Sequence, residues 1–217
     1  MTDYENGVDT RKKIVSAAQA LFYAKGYHET GFQDIYKRSH VSRGTVYYHF
    51  KTKEAIRYEV LWEFTMDHKR LVEKYCDREE YHYLLALAVM WIVISQDPQY
   101  RKFIQDYCND CRVYSKQMDL SLYHATIYQV MWGKFWDRDK ISEISFAAVY
   151  GYLIGFCLML CEHPGRYDPV ELFIHCNNDC LALWGIPADK MDAVWKGFRY
   201  YLSLIPRSEM KIQLSEN

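Results

Sequence analysis

Residues 26–56 read GYHETGFQDIYKRSHVSRGTVYYHFKTKEAI, two short helical segments joined by a tight break and followed at once by the start of a longer helix. Asp34, Ile35, Lys37 and Arg38 fall in a short helical segment predicted over 32–39. Thr30 and Gly31 precede it, and both are acceptable at a helix N-terminus. His40 and Val41 form a break. Ser42 then has the side chain of an N-cap, its oxygen placed to accept from a backbone N–H near Thr45. A second helix is predicted over 43–49, carrying Arg43, Gly44, Thr45, Val46, Tyr47, Tyr48 and His49. Val46 can turn inward with Val41 and Ile35, which leaves Arg43, Thr45, Tyr48 and His49 facing outward. Such a helix suits a DNA major groove. Arginine can pair with both acceptors of guanine, hydroxyls can reach bases or phosphates, and a helix N-terminus favours phosphate.

Together with their neighbours, these residues resemble the N-terminal domain of the TetR family of bacterial transcriptional regulators. Ile14, Ala17, Ala18, Leu21 and Phe22 are similar to that family's first helix, and Gly26 and Tyr27 to the turn after it. Val41, Ser42, Gly44 and Thr45 resemble the start of its recognition helix. Tyr47, His49 and Phe50 match its Tyr-x-His-Phe signature, and Lys53 and Glu54 the start of its fourth helix. The resemblance covers about residues 10–60. It implies an all-α protein with an N-terminal three-helix DNA-binding domain (residues 1–52) containing the helix-turn-helix. A C-terminal helical bundle for ligand binding and dimerisation (53–217) would follow. It also implies phosphate contacts from Tyr47, His49 and Lys53, and base-facing positions for Arg43, Thr45 and Tyr48. Thr30 and Ser42 complete the expected DNA-binding set. Three positions depart from the family's habit. Tyr36 stands where a small residue is usual between the motif helices, His40 where the turn usually has Gly, and Gly31 where Thr or Ser often touches a phosphate.

Composition agrees with a nucleic-acid partner for one part of the chain only. Half of the 217 residues are hydrophobic and a quarter charged, a globular balance. Residues 10–58 hold ten Lys/Arg and three Asp/Glu, a charge of +7; the remainder holds 17 and 25, a charge of −8, which together give the net −1. A basic head on an acidic body suits DNA binding by the head. The opening MTDYENGVDTRKK contains no apolar signal segment, and the longest apolar run, Ile144 to Cys161, is broken by Ser, Tyr and two Gly. A cytoplasmic location without membrane contact is expected.

The rest of the chain reads as helical. The five prolines all fall near expected helix ends, and no segment alternates with a two-residue period between hairpin signals. Helices are predicted over about 10–25, 53–76, 79–95, 98–117, 120–137, 140–162, 168–183 and 189–204, besides the two motif helices. The fourth helix joins head and body without a linker. Gly151 and Gly155 are four apart and let another helix approach closely. With Leu172 and Cys176 of the following helix they form the expected interface of a two-fold homodimer. The body is rich in aromatics, and Trp91, Tyr107, Tyr128, Trp132 and Tyr152 are candidates to line a pocket for an apolar or aromatic small-molecule effector.

Other chemistries find less support. There is no Gly-rich phosphate loop, no G-x-S-x-G and no H-E-x-x-H, so neither a catalytic residue nor a cofactor is expected. Seven cysteines without a signal segment read as reduced thiols. Cys108/Cys111, Cys157/Cys161 and Cys176/Cys180 are close pairs on helix faces, and buried apolar cysteine is their commoner use. Two alternatives stay open beside a repressor released from a palindromic operator by its effector. One is a thiol- or metal-responsive sensor on the same scaffold. The other is a helical binding protein whose DNA recognition is impaired at Gly31, Tyr36 and His40.

Overall fold

The computed structural model describes residues 3–110, 143–183 and 188–214, and every regular element among them is helical. The chain divides into two compact units, 1–67 with 212–217 and 68–211.

The first unit is the head. In α1 (Asp3–Lys25), Ile14, Ala17, Ala18, Leu21 and Phe22 recur at helical spacing, and all five are buried. The helix begins before the predicted residue 10, since no proline interrupts residues 3–9. It stops at Gly26, whose φ of 97° lies in the left-handed region and whose N–H bonds the Phe22 carbonyl at 2.9 Å. The motif helices α2 (Phe32–Ser39) and α3 (Arg43–His49) coincide with their predicted spans. Ile35 and Val46 pack inward and are fully buried. The long α4 (Lys53–Glu73) begins where predicted. It ends a turn early, in a tight turn where Lys74 and Tyr75 donate to the Leu71 and Val72 carbonyls.

The boundary expected at 52/53 would give all of α4 to the body. The compact unit instead keeps residues 53–67 with the head. The cause is a set of polar ties along α4: Lys53 to the turn after α1, Glu59 to Arg11, and Asp67 to Gln19.

The second unit holds α5 (His82–Gln96), α6 (Pro98–Asp110), α7 (Glu143–Glu162), α8 (Pro169–Leu183) and α9 (Ala188–Leu204). A 3-10 turn, Glu79–Tyr81, leads into α5, where the sequence predicts one continuous helix. Apolar nearly all round, α5 is the centre of the bundle, in contact with α6, α7, α8 and α9. Trp91 meets Phe173 edge-on at 5.4 Å; Phe173 stacks on Phe198, which Trp195 meets edge-on. Gly197 lets Tyr81 pack against α9, where a methyl group would strike the phenol. The junction of α5 and α6 is closed by polar groups. Asp97 caps α6 by accepting from the N–H groups of Gln99 and Tyr100, and Arg101 donates to the carbonyls of Ile94 and Ser95.

Candidate nucleic-acid interface

The candidate surface is built around α3. Ser42 caps it as the sequence predicts: its Oγ accepts from the Thr45 N–H at 3.2 Å and pairs with the Thr45 hydroxyl at 2.8 Å. The Val46 N–H bonds back to the Ser42 carbonyl at 3.0 Å, and the Phe50 N–H closes the far end on Val46. The turn before α3 requires a left-handed residue. His40 takes that conformation at φ 54°, ψ 28°, where the family habit is Gly. The other departures are also absorbed locally. Gly31 caps α2 through its backbone, donating to the Asp34 carboxylate at 3.0 Å. That bond and the Lys25 ammonium at 3.3 Å hold the Asp34 carboxyl below the usual carboxylate range. Tyr36, too large for close helix packing, lies in an aromatic patch with Phe32 and Tyr47 at centroid distances of 6.1 and 6.3 Å. Partial burial and the Tyr47 hydroxyl raise its phenol above the ordinary value.

The expected DNA-binding residues separate into three groups. Arg43 is exposed and Tyr48 is 77% exposed, so both project from α3 into solvent; Ser42 and Thr45 lie beside them at its capped N-terminus. Tyr47 and His49 are half-buried: Phe32 stacks on the Tyr47 ring at 4.9 Å, and the Arg43 guanidinium lies 5.6 Å from that ring's centroid. Thr30 and Lys53 are turned inward. Thr30 is fully buried and its hydroxyl donates to the Gly26 carbonyl at 2.8 Å. The Lys53 ammonium donates to the carbonyls of Tyr27 and Thr30 at 3.0 Å each and lies 4.2 Å from the centroid of the Tyr27 ring. In this arrangement Thr30 and Lys53 hold the turn after α1 in place. Thr30 therefore presents no hydroxyl to a phosphate, because the turn uses it.

Sequence reading missed Arg11. It reaches from α1 to the carbonyl of His49 at 3.2 Å and to Glu59 at 2.7 Å, with its guanidinium 4.2 Å from the centroid of the Phe50 ring. These partners lie 38 to 48 residues away, beyond any local spacing signal.

In the body, the four expected interface residues differ in exposure. Leu172 and Cys176 are buried within their own bundle, while Glu171, His175 and Asn178 face outward from α8. An apolar residue marks a helix face as buried, and here the chain's own helices do the burying. Gly151 and Gly155 are exposed, with open space around the position of an added Cβ. Of the candidate effector residues, Trp91 and Tyr107 are buried. Tyr152 is 43% exposed and stacks on Phe156. Tyr128 and Trp132 lie outside the described residues.

The six cysteines among the described residues are buried as well. Burial and the neighbouring Cys157 push Cys161 up to about 12, and a hydrogen bond with Cys180 together with burial drives Cys176 far above the ordinary thiol value. Buried thiols held protonated are poor nucleophiles and poor metal ligands. Among the described residues, no three His, Cys, Asp or Glu side chains are grouped so as to hold a metal ion. Among the same residues, no helix is long and apolar enough to cross a membrane.

Comparison with known proteins reaches both the head and the body. The family model for bacterial regulatory proteins of the tetR family matches residues 14–60. The HTH-type transcriptional regulator QacR of Staphylococcus aureus is 43% identical over 54 residues, 25% of this chain, and the match spans only 29% of QacR. The HTH-type transcriptional regulator TtgR of Pseudomonas putida is 33% identical over 203 residues, covering 82% of this chain and 94% of TtgR. The crystal structure of NalD, the secondary repressor of a Pseudomonas aeruginosa multidrug efflux pump, aligns with a TM-score of 0.45 at 20% identity, over 82% of this chain and 96% of NalD. The match to TtgR carries the kinship beyond the head into the body, and the chain is a member of the TetR family of bacterial regulatory proteins.

Proposed function

We propose that this chain is a dimeric, DNA-binding transcriptional repressor whose hold on its operator is weakened by a small molecule bound in the body. The carrying observation is the free N-terminal face of α3, where Ser42 caps the helix and Arg43 and Tyr48 project from a head whose core is closed. Arg43 is suited to the N7 and O6 acceptors of a guanine, and Tyr48 can reach a base edge or a phosphate. Two heads related by two-fold symmetry would read half-sites one helical turn apart, so the operator would be near-palindromic. Repression then follows wherever that operator overlaps a promoter. The protein acts by binding in the cytoplasm and performs no chemistry.

The dimer would form on the outer faces of α7 and α8, with Gly151, Tyr152 and Gly155 opposed to the partner and His175 alongside. Their exposure and the open space beside both glycines support this. The effector would enter among the buried aromatics of α5 and α6, Trp91 and Tyr107 among them. It would act by favouring one dimer geometry over another, which requires that it bind that geometry more tightly.

Selection from random duplex DNA, with wild type and Arg43→Ala side by side at two salt concentrations, tests the reading. A two-fold symmetric sequence is expected for the wild type, relaxed at one position per half-site in the variant. No enrichment by a folded wild-type dimer at either salt overturns it.

A further inference from the structure

We propose that Arg11 of α1 is a positioning residue for DNA recognition, fixing the tilt of α3 by tying its C-terminal end to α4. With only seven residues, α3 has terminal carbonyls that lack partners within the helix, and little of its own length to define its axis. Ser42 secures the first turn and Val46 plugs the centre. The remaining end is held from outside. Arg11 Nη1 donates to the His49 carbonyl at 3.2 Å, at the last residue of the helix. Its Nη2 meets Glu59 Oε1 at 2.7 Å, and the plane between them covers the ring of Phe50, the residue that terminates α3. One guanidinium thus joins α1, α3 and α4. Release of this end would let α3 rock about Val46 and carry Arg43 and Tyr48 with it, and base contacts tolerate little displacement.

The chemistry requires arginine. A lysine keeps the charge but cannot donate in two directions from a rigid plane while stacking on a ring. A competing role is available, since the Arg11 side chain is 41% exposed and could hold a phosphate directly. The two roles differ in sign at Glu59. Glu59→Gln removes the carboxylate charge and weakens the hold on the guanidinium: a phosphate ligand would then bind DNA more tightly, whereas a positioning residue would be less firmly anchored and discrimination would fall.

This inference rests on α3 being the recognition helix. The test measures Kd by fluorescence anisotropy for the operator selected by the wild type and for a scrambled duplex, at two salt concentrations. It uses the full-length wild type, Arg11→Lys, Glu59→Gln and the double variant, with helix content and Tm followed by circular dichroism. The ratio of scrambled to operator Kd is expected to fall about ten-fold in Arg11→Lys and about three-fold in Glu59→Gln, the loss of one charge-assisted bond and of its support. The double variant should be no worse than Arg11→Lys, because both changes break one linkage. The salt slope should be unchanged by Arg11→Lys, as no phosphate contact is lost. Tighter operator binding by Glu59→Gln at an unchanged ratio overturns the proposal in favour of a phosphate contact. An unchanged ratio in every variant with a lowered Tm reduces Arg11 to a brace of the fold. Should Arg11→Lys fail to fold, the ratio in Glu59→Gln decides alone. A wild type that selects no sequence overturns this inference and the functional reading together; selection by the wild type with unaltered variants overturns this inference only.

Discussion

The head and the body are both helical, yet they are held together differently. In the head, side chains cross between helices to meet backbone or charge: Arg11 on His49 and Glu59, Gln19 on Asp67, Lys25 on Asp34, Lys53 on two carbonyls. In the body, the centre is aromatic and aliphatic, with α5 enclosed by its neighbours and Trp91, Phe173 and Phe198 in mutual contact. Hydrogen bonds are directional and apolar packing is not. The difference teaches that the head is built to hold side chains at fixed angles, as base reading demands. The body is built to bury area, and it tolerates rearrangement as long as its volume stays filled.

Four experiments test that contrast, beginning with the one that should cost the most stability. Trp91→Ala removes the largest fully buried side chain among the described residues of the body and should cost about 3–5 kcal/mol in urea unfolding. A loss below about 1 kcal/mol would mean that Trp91 borders a space already empty.

The second concerns His68, buried near the end of α4, its ring edge-on to Tyr100 and its Nε2 without a hydrogen-bond partner. Burial holds its pKa down to about 4, against 6.5 for a free imidazole. Between those values the unfolded chain takes up a proton that the folded chain refuses. Stability from this residue is therefore intact above pH 6.5 and is lost as pH falls toward 4, by about 3 kcal/mol in all. Urea unfolding of wild type and His68→Phe at pH 7.5 and 4.5 should show the variant losing less of its stability with acid. Parallel losses would place a proton acceptor beside His68 and a polar element in the apolar body.

In the head the effects are smaller in energy and appear in DNA discrimination. Arg43→Ala should reduce discrimination at one base per half-site by about 1–3 kcal/mol and leave thermal unfolding within about 0.5 kcal/mol of wild type. A uniform weakening across sequences would mark Arg43 as a phosphate contact. Ser42→Ala removes the cap of α3 and should lower stability by about 1 kcal/mol. Operator affinity should fall by more than that loss if the capped end is also where DNA docks; a fall in stability alone would separate folding from recognition.

Sequence and structure agree where signals are local. The spans of α2 and α3, the Ser42 cap and the inward Val46 were all legible, because caps, breaks and i to i+4 spacing act over a few residues. The His40 turn was legible as a strain point and proved to be left-handed. Agreement stops where an apolar helix face has to be matched with what covers it. Leu172 and Cys176 look like interface residues in the sequence, and only the neighbouring helices determine that they face the chain's own core. Tyr152 looks like a pocket aromatic and is exposed.

The sequence by itself determined the helical class, the basic head, the recognition helix and the kinship that follows from them, because each is written in residues close together along the chain. Only the tertiary structure decided which polar residues of the head project into solvent and which are held by other parts of the head. Lys53 and Arg11 each carry groups able to bind a phosphate, and each donates to backbone carbonyls brought near by the fold. The physical reason is that a donor's partner is set by distance in space, and residues 38 positions apart become neighbours only once the helices have packed.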